Sequence, residues 1–136
     1  MYTAETKVRV RYGETDQMGY VYYGVYAMYY EVARVESLRQ LGLTYKELEQ
    51  MDVMLPVLEN HTKFIAPAYY DDELLIVTHI RDKPGVRIRF EYELFNMDGK
   101  LINQGETLLA FVDKKTGKPR RPPKAFDNVI APYFEQ

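Results

Sequence analysis

The chain of 136 residues has no cysteine. Disulfides, thiolate zinc sites and a cysteine nucleophile are therefore excluded, which fits a reducing compartment. Its two histidines, His61 and His79, lie far apart and outside any H-E-x-x-H spacing, so no metal site is expected. There is no G-x-G-x-x-G, no P-loop lysine motif and no G-x-S-x-G elbow. No apolar run approaches the roughly 20 residues needed to cross a bilayer. Residues 1–10 alternate charged and apolar side chains without a signal-peptide core. Internal repeats, linkers and low-complexity tracts are also lacking. The expectation is one cytoplasmic domain, residues 1–136, with no cofactor and no membrane span.

Acidic residues outnumber basic ones by two, which argues against nucleic acid as a partner. The charge is uneven. Residues 114–124 hold six basic side chains (Lys114, Lys115, Lys118, Arg120, Arg121, Lys124) and no acid. That stretch reads as a solvated basic loop or as a landing patch for a small phosphorylated ligand.

The richest stretch is Tyr12-Gly-Glu-Thr-Asp16-Gln-Met-Gly19-Tyr-Val-Tyr-Tyr23-Gly24-Val-Tyr26. Lys7 to Tyr12 alternates as a half-buried strand, and Asp16 to Gly19 reads as a turn. Val25 to Leu41 has a helical pattern, apolar nearly all round in its first half and amphipathic after Glu31. A helix apolar on every side is expected to be enclosed, with its start deeply buried and its end emerging toward solvent. Gly42 stops it, and Thr44-Tyr-Lys-Glu47 opens a second short helix as a capping box. Helix starts leave amides without partners and carry partial positive charge. No serine or aspartate cap stands at Tyr22 to Gly24, so those amides are left for a ligand. Asp16 facing the helix start near Tyr23 and Gly24 is the leading candidate site.

Four further strands follow: Met54 to Ile65, Glu73 to Arg81, Val86 to Phe95 and Lys100 to Val112. The third alternates strictly, with Ile88, Phe90, Tyr92 and Leu94 inward and Arg87, Arg89, Glu91 and Glu93 outward. Asp98-Gly99 marks a hairpin turn, and a short helix is expected over Lys124 to Tyr133. A helix segregated to one face of antiparallel strands makes an α+β domain. The exposed edges of such a sheet favour dimerisation that extends it.

The stretch Val10 to Tyr26, followed by Glu31-Val-Ala-Arg34, resembles the hotdog-fold acyl-CoA thioesterases of the 4-hydroxybenzoyl-CoA thioesterase type. The likeness continues through Pro67-Ala-Tyr-Tyr-Asp71-Asp-Glu-Leu74, Gly105-Glu-Thr107 and Val112-Asp-Lys-Lys-Thr-Gly-Lys-Pro119. It implies a five-stranded antiparallel sheet wrapped around one long central helix. It also implies homodimers, sometimes tetramers as dimers of dimers, with active sites at the dimer interface. The implied substrate is an acyl-CoA or an acyl-carrier-protein thioester. The family's loop aspartate matches Asp16, taken as nucleophile or general base, and its oxyanion donor matches the backbone N–H of Tyr23.

Thioester hydrolysis needs an attacking oxygen and donors for the developing oxyanion, which suits an ionised aspartate beside free amides. Val25 stands where the family often has Asn or Ser, and Tyr23 where it often has His. Related enzymes put the carboxylate on the helix instead. Glu31, eight residues past Tyr23 and roughly 12 Å along the helix, is that rival. Tyr22, Gly24 and Tyr26 are candidates for the acyl pocket, and Lys63, Arg87 and Arg89 for the phosphates of coenzyme A. The plainer readings are a turn carboxylate at Asp16, tyrosines packed in the core, a surface Glu31–Arg34 pair, and solvated strand cations. The alternative function is a non-catalytic acyl- or CoA-binding module, and a third is a subunit that only assembles.

Overall fold

The computed structural model describes residues 1–135, so Gln136, the last residue of the expected domain, lies outside the described residues. In chain order the elements are β1 (Tyr2–Arg9), α1 (Val25–Leu41), α2 (Tyr45–Gln50), β2 (Val53–Met54), β3 (Val57–Phe64), β4 (Glu73–Ile80), β5 (Arg87–Phe95), β6 (Leu101–Ala110), β7 (Val112–Asp113) and α3 (Lys124–Ile130). Five strands form one sheet in the order β1-β4-β5-β6-β3, antiparallel throughout, while β2 and β7 make a separate ribbon.

Period-two alternation makes the inner face of this sheet. Ile88, Phe90, Tyr92 and Leu94 of β5 are buried, as are Leu74, Ile76, Thr78 and Ile80 of β4. The β5–β6 hairpin turns at Asp98-Gly99, where Gly99 has φ 78° and the Asn96 side chain accepts from the amides of Asp98 and Lys100. Helix α1 lies on the inner face and packs against β1 and β4. It ends at Gly42 with φ 106°, whose N–H donates to the carbonyls of Leu38 and Arg39. The capping box of α2 forms as expected, with the Glu47 amide donating to Thr44 Oγ1 at 3.2 Å.

Four expectations are corrected. The sheet lines one side of α1 and does not enclose it. Tyr26, Tyr29, Tyr30, Ala33, Arg34, Ser37, Leu38 and Leu41 are buried, whereas Met28 is 51% exposed and Val32 41%. Nor does the helix run from a buried start to an emerging end: Tyr22, Tyr23 and Gly24 just before it are exposed, and in its last turn Leu38 and Leu41 are buried while Arg39 and Gln40 are exposed. The first strand runs Tyr2–Arg9 rather than Lys7–Tyr12, because Tyr2 and Ala4 join the core and the Tyr2 hydroxyl donates to Ser37 O at 2.6 Å. Finally, the expected strands Met54 to Ile65 and Lys100 to Val112 each break. Pro56, which has no N–H for a ladder, separates β2 from β3, and past Ala110 the chain leaves β6 to pair with β2 as β7.

The contact that fixes α1 on the sheet is aromatic. The Tyr30 ring stacks on Tyr92 with centroids 4.2 Å apart and planes at 7°, and the Tyr30 hydroxyl donates to Asn103 Oδ1. Gly105 of β6 lies directly beneath this ring, where a Cβ would overlap the ring and its hydroxyl. Tyr30 is fully buried and has no room to yield. Gly105→Ala is therefore expected to destabilise by about 1–3 kcal/mol, the usual cost of overpacking. Gly85→Ala, at a site with open space, is expected to stay within about 0.5 kcal/mol. Chemical denaturation of both variants checks the contrast.

Candidate active site

The loop from Val10 to Tyr23 is tied down at several points. The Val10 amide donates to Asp72 O and the Asp71 amide to Val10 O, which fixes the loop beside the start of β4. Val21 donates to Ala68 O and Tyr22 to Glu14 O. The strongest tie is the Glu14 carboxylate, which is 8% exposed. It accepts from the Arg11 amide at 2.8 Å, the Arg11 guanidinium at 2.9 Å and the Tyr29 hydroxyl at 2.9 Å. Burial pushes its pKa up, but the Arg11 amide, the Tyr29 hydroxyl and the Arg11 charge outweigh that and hold it below the ordinary glutamate value. Because Tyr29 sits on α1, this carboxylate couples the loop to the helix.

Asp16 lies at the apex of the loop and is half-buried. Its Oδ1 accepts from the Met18 amide at 2.9 Å and its carbonyl from the Gly19 amide at 3.0 Å, with Gly19 at φ 87°. This is the aspartate turn anticipated from sequence. At the start of α1 the Tyr22 amide is used by Glu14 O and the Val25 amide by Tyr22 O. The amides of Tyr23 and Gly24 donate to no backbone or side-chain acceptor among the described residues, and no side chain caps the helix. A Cβ at Gly24 would stand 3.0 Å from the edge of the Tyr22 ring, a tight contact that the exposed ring would have to relieve by shifting.

Asp16, Tyr22, Tyr23 and Tyr26 border one cavity of about 500 Å³. Met18, Tyr20 and Val21 complete the loop side, and Phe64 to Pro67 form the facing wall. Phe64 meets Tyr26 edge-on at 5.6 Å and Tyr23 at 6.5 Å. Burial pushes the Tyr26 hydroxyl up to about 12. The Tyr22 hydroxyl is also shifted up, first by its bond with Tyr23 and last by the charge of Asp16. The site thus combines a carboxylate, the Tyr23 residue with its unpaired amide, and aromatic walls, whereas Gly24, expected in the acyl pocket, is not among the residues that line the cavity.

The other candidates lie elsewhere. Glu31 is exposed on the far side of α1 and lines cavities with Arg34, not the Asp16 cavity. Lys63 and Arg89 stand on the outer face of the sheet, Arg89 in an ion pair with Glu106 at 3.2 Å, and Arg87 is exposed at the start of β5. The basic run around Lys114 to Lys124 follows β7, with Lys115 paired to Asp52 at 3.3 Å. His61 and His79 contact Glu59 and Glu93 respectively. Sequence reasoning missed Phe64 as a wall and the Glu14–Tyr29 tie. Phe64 carries no motif, and no periodicity links residues 14 and 29.

A five-stranded antiparallel sheet with a helix across its inner face is an α+β hotdog arrangement. Residues 10–130 match the thioesterase-like superfamily, and the chain belongs to it. It is 36% identical over 118 residues to the acyl-CoA thioester hydrolase YbgC of Escherichia coli O6:H1, covering 87% of this chain and 88% of that one. It is 32% identical over 118 residues to the acyl-CoA thioesterase YbgC of Haemophilus influenzae, covering 86% of each. The fold matches the crystal structure of DHNA-CoA thioesterase from Staphylococcus aureus with a TM-score of 0.91 at 30% identity, over 98% of this chain and 90% of that one.

Glu14→Gln removes the charge that holds the loop while keeping the side chain's shape. A depressed native pKa gives stability that is complete above the ordinary glutamate range and is lost as pH falls through the native value. The variant is expected to be less stable than wild type by about 1–3 kcal/mol at pH 7. That difference should close in acid, where Glu14 is itself protonated. Denaturation curves at a series of pH values check this.

Proposed function

We propose that the chain hydrolyses acyl-CoA thioesters to free acid and thiol in the Asp16 cavity. The observation that carries this reading is that Tyr23, whose amide donates to no acceptor among the described residues, lines the same cavity as Asp16. Asp16 takes a proton from a water whose oxygen adds to the thioester carbonyl, or its free oxygen attacks that carbon directly. In either route the Tyr23 amide holds the oxyanion, and collapse expels the thiolate, which is then protonated; direct attack leaves the acyl group on Asp16 as a mixed anhydride, which water then cleaves to the free acid and the restored carboxylate. The tyrosine and Phe64 walls receive the acyl or aryl group. An acyl-carrier protein offering the same thioester is the alternative donor. Glu31, outside this cavity, is disfavoured as the carboxylate.

The reading includes a second copy. The β3 edge is exposed along nearly its whole length, and Val57, Leu58 and Phe64 of that strand are uncovered together with Met28 and Val32 of α1. Pairing two β3 edges covers this apolar surface and satisfies an open strand edge. Lys63, Arg87 and Arg89 then serve the coenzyme phosphates only from a neighbouring copy, because the sheet separates them from the cavity of their own chain.

Asp16→Asn is expected to lower kcat for acyl-CoA hydrolysis by about a hundredfold or more, with substrate still bound. Unchanged turnover in the folded variant rejects the assignment, and binding without hydrolysis by wild type favours the non-catalytic module. In light scattering, wild type is expected at twice the 16.0 kDa chain mass or a multiple of that. Met28→Asp, which charges the exposed side of α1, is expected to shift it toward monomer.

A further inference from the structure

Arg34 is a buried cation without a counter-ion among the described residues. It is 7% exposed, yet among the described residues no carboxylate forms an ion pair with it. Its partners are hydroxyls: Nη1 donates to Tyr92 Oη at 3.0 Å and to Thr107 Oγ1 at 3.4 Å, and Nε donates to Tyr45 Oη at 3.3 Å. Nη2 donates to none of the described residues. It is not sealed in either, since Asn103 Nδ2 is the one side-chain polar atom among them that is both buried and unpaired. Nη2 is therefore not sealed from solvent, and Arg34 lines two cavities. One, of about 510 Å³, is walled by Val35, Leu48, Val53, Met54, Leu55 and Pro56, and the other, of about 250 Å³, reaches Asn60 and Thr107. Glu31 and Glu49 lie at the rim, exposed.

A buried guanidinium held only by neutral groups keeps most of its desolvation penalty until an anion arrives. A planar fork with a free N–H edge is matched to a carboxylate. The hydroxyls hold the group in place without neutralising it, and the apolar walls suit a hydrocarbon tail. We propose that Arg34 anchors a carboxylate-binding subsite, separate from the Asp16 cavity, that takes an organic acid with an apolar body. The carboxylate comes either from a free acid or from the far end of a dicarboxylic acyl group. The second source rests on the thioesterase reading, and the first does not.

Three proteins separate the outcomes: wild type, Arg34→Met, and Asn60→Asp. The last is isosteric, leaves an oxygen for the Thr107 hydroxyl that Asn60 Oδ1 now accepts, and sets a built-in carboxylate at the cavity. Thermal melts with adipate and with hexanoate test the free acid. The kcat/KM values of dicarboxylic acyl-CoAs against methyl-ended ones of equal length test the acyl source. Wild type is expected to be stabilised by the free acids, or to prefer the carboxyl-ended substrates by about tenfold or more. Both effects should collapse in Arg34→Met and in Asn60→Asp, and Asn60→Asp should melt higher than wild type without any ligand. Neither effect in wild type, or an effect that survives in both variants, overturns the subsite. Failure of wild type to hydrolyse methyl-ended acyl-CoAs counts against the thioesterase reading alone, and the melts still decide this one.

Discussion

The arrangement of the site depends on one buried carboxylate. Glu14 gathers an amide and a guanidinium from Arg11 and a hydroxyl from Tyr29, three donors from two separate segments. A buried charge is tolerated only when it is this fully satisfied. The loop and the helix are therefore held in one relation, with Asp16 two residues beyond the tie and Tyr23 lining the same cavity. The backbone bond from Tyr22 to Glu14 O closes the loop from its other side. Preorganisation of this kind lets fixed donors act on developing charge without rearrangement.

The helix that carries those amides is held from its other flank by aromatic packing. Tyr30 lies flat on Tyr92 above Gly105, and Arg34 reaches the Tyr92 hydroxyl one turn later. These contacts place α1 on the central strands of the sheet and leave its opposite side, with Met28 and Val32, uncovered beside the β3 edge. The same placement sets the helix start beside the Asp16 loop and leaves this apolar surface open.

Much of this was legible in residue order. The strict alternation of Val86 to Phe95 gave β5 and its faces to within one residue, Thr44 and Glu47 gave the start of α2, and Asp16 to Gly19 gave the turn. The nearness of Asp16 to the helix start followed from the short connection between them. What was not legible was set by partners distant in sequence. The apolar first half of α1 suggested enclosure, because composition cannot say whether one sheet face or a second chain covers an apolar side. Tyr2 and Ala4 join the core through contacts with residues far along the chain. The Glu14–Tyr29 tie and the Phe64 wall arise where segments meet, and a linear pattern carries no signal for either. Gly105 stood in a motif stretch, but its reason, the Tyr30 ring lying above it, is visible only in three dimensions.

The central claim is that Asp16 and the amide of Tyr23 address one carbonyl group. A crystal structure of Asp16→Asn bound to an uncleaved acyl-CoA tests it most directly. The account predicts the thioester oxygen at about 3 Å from the Tyr23 amide, with its carbon facing residue 16. A thioester seated beside Glu31, with the Tyr23 and Gly24 amides still unpaired, would contradict it.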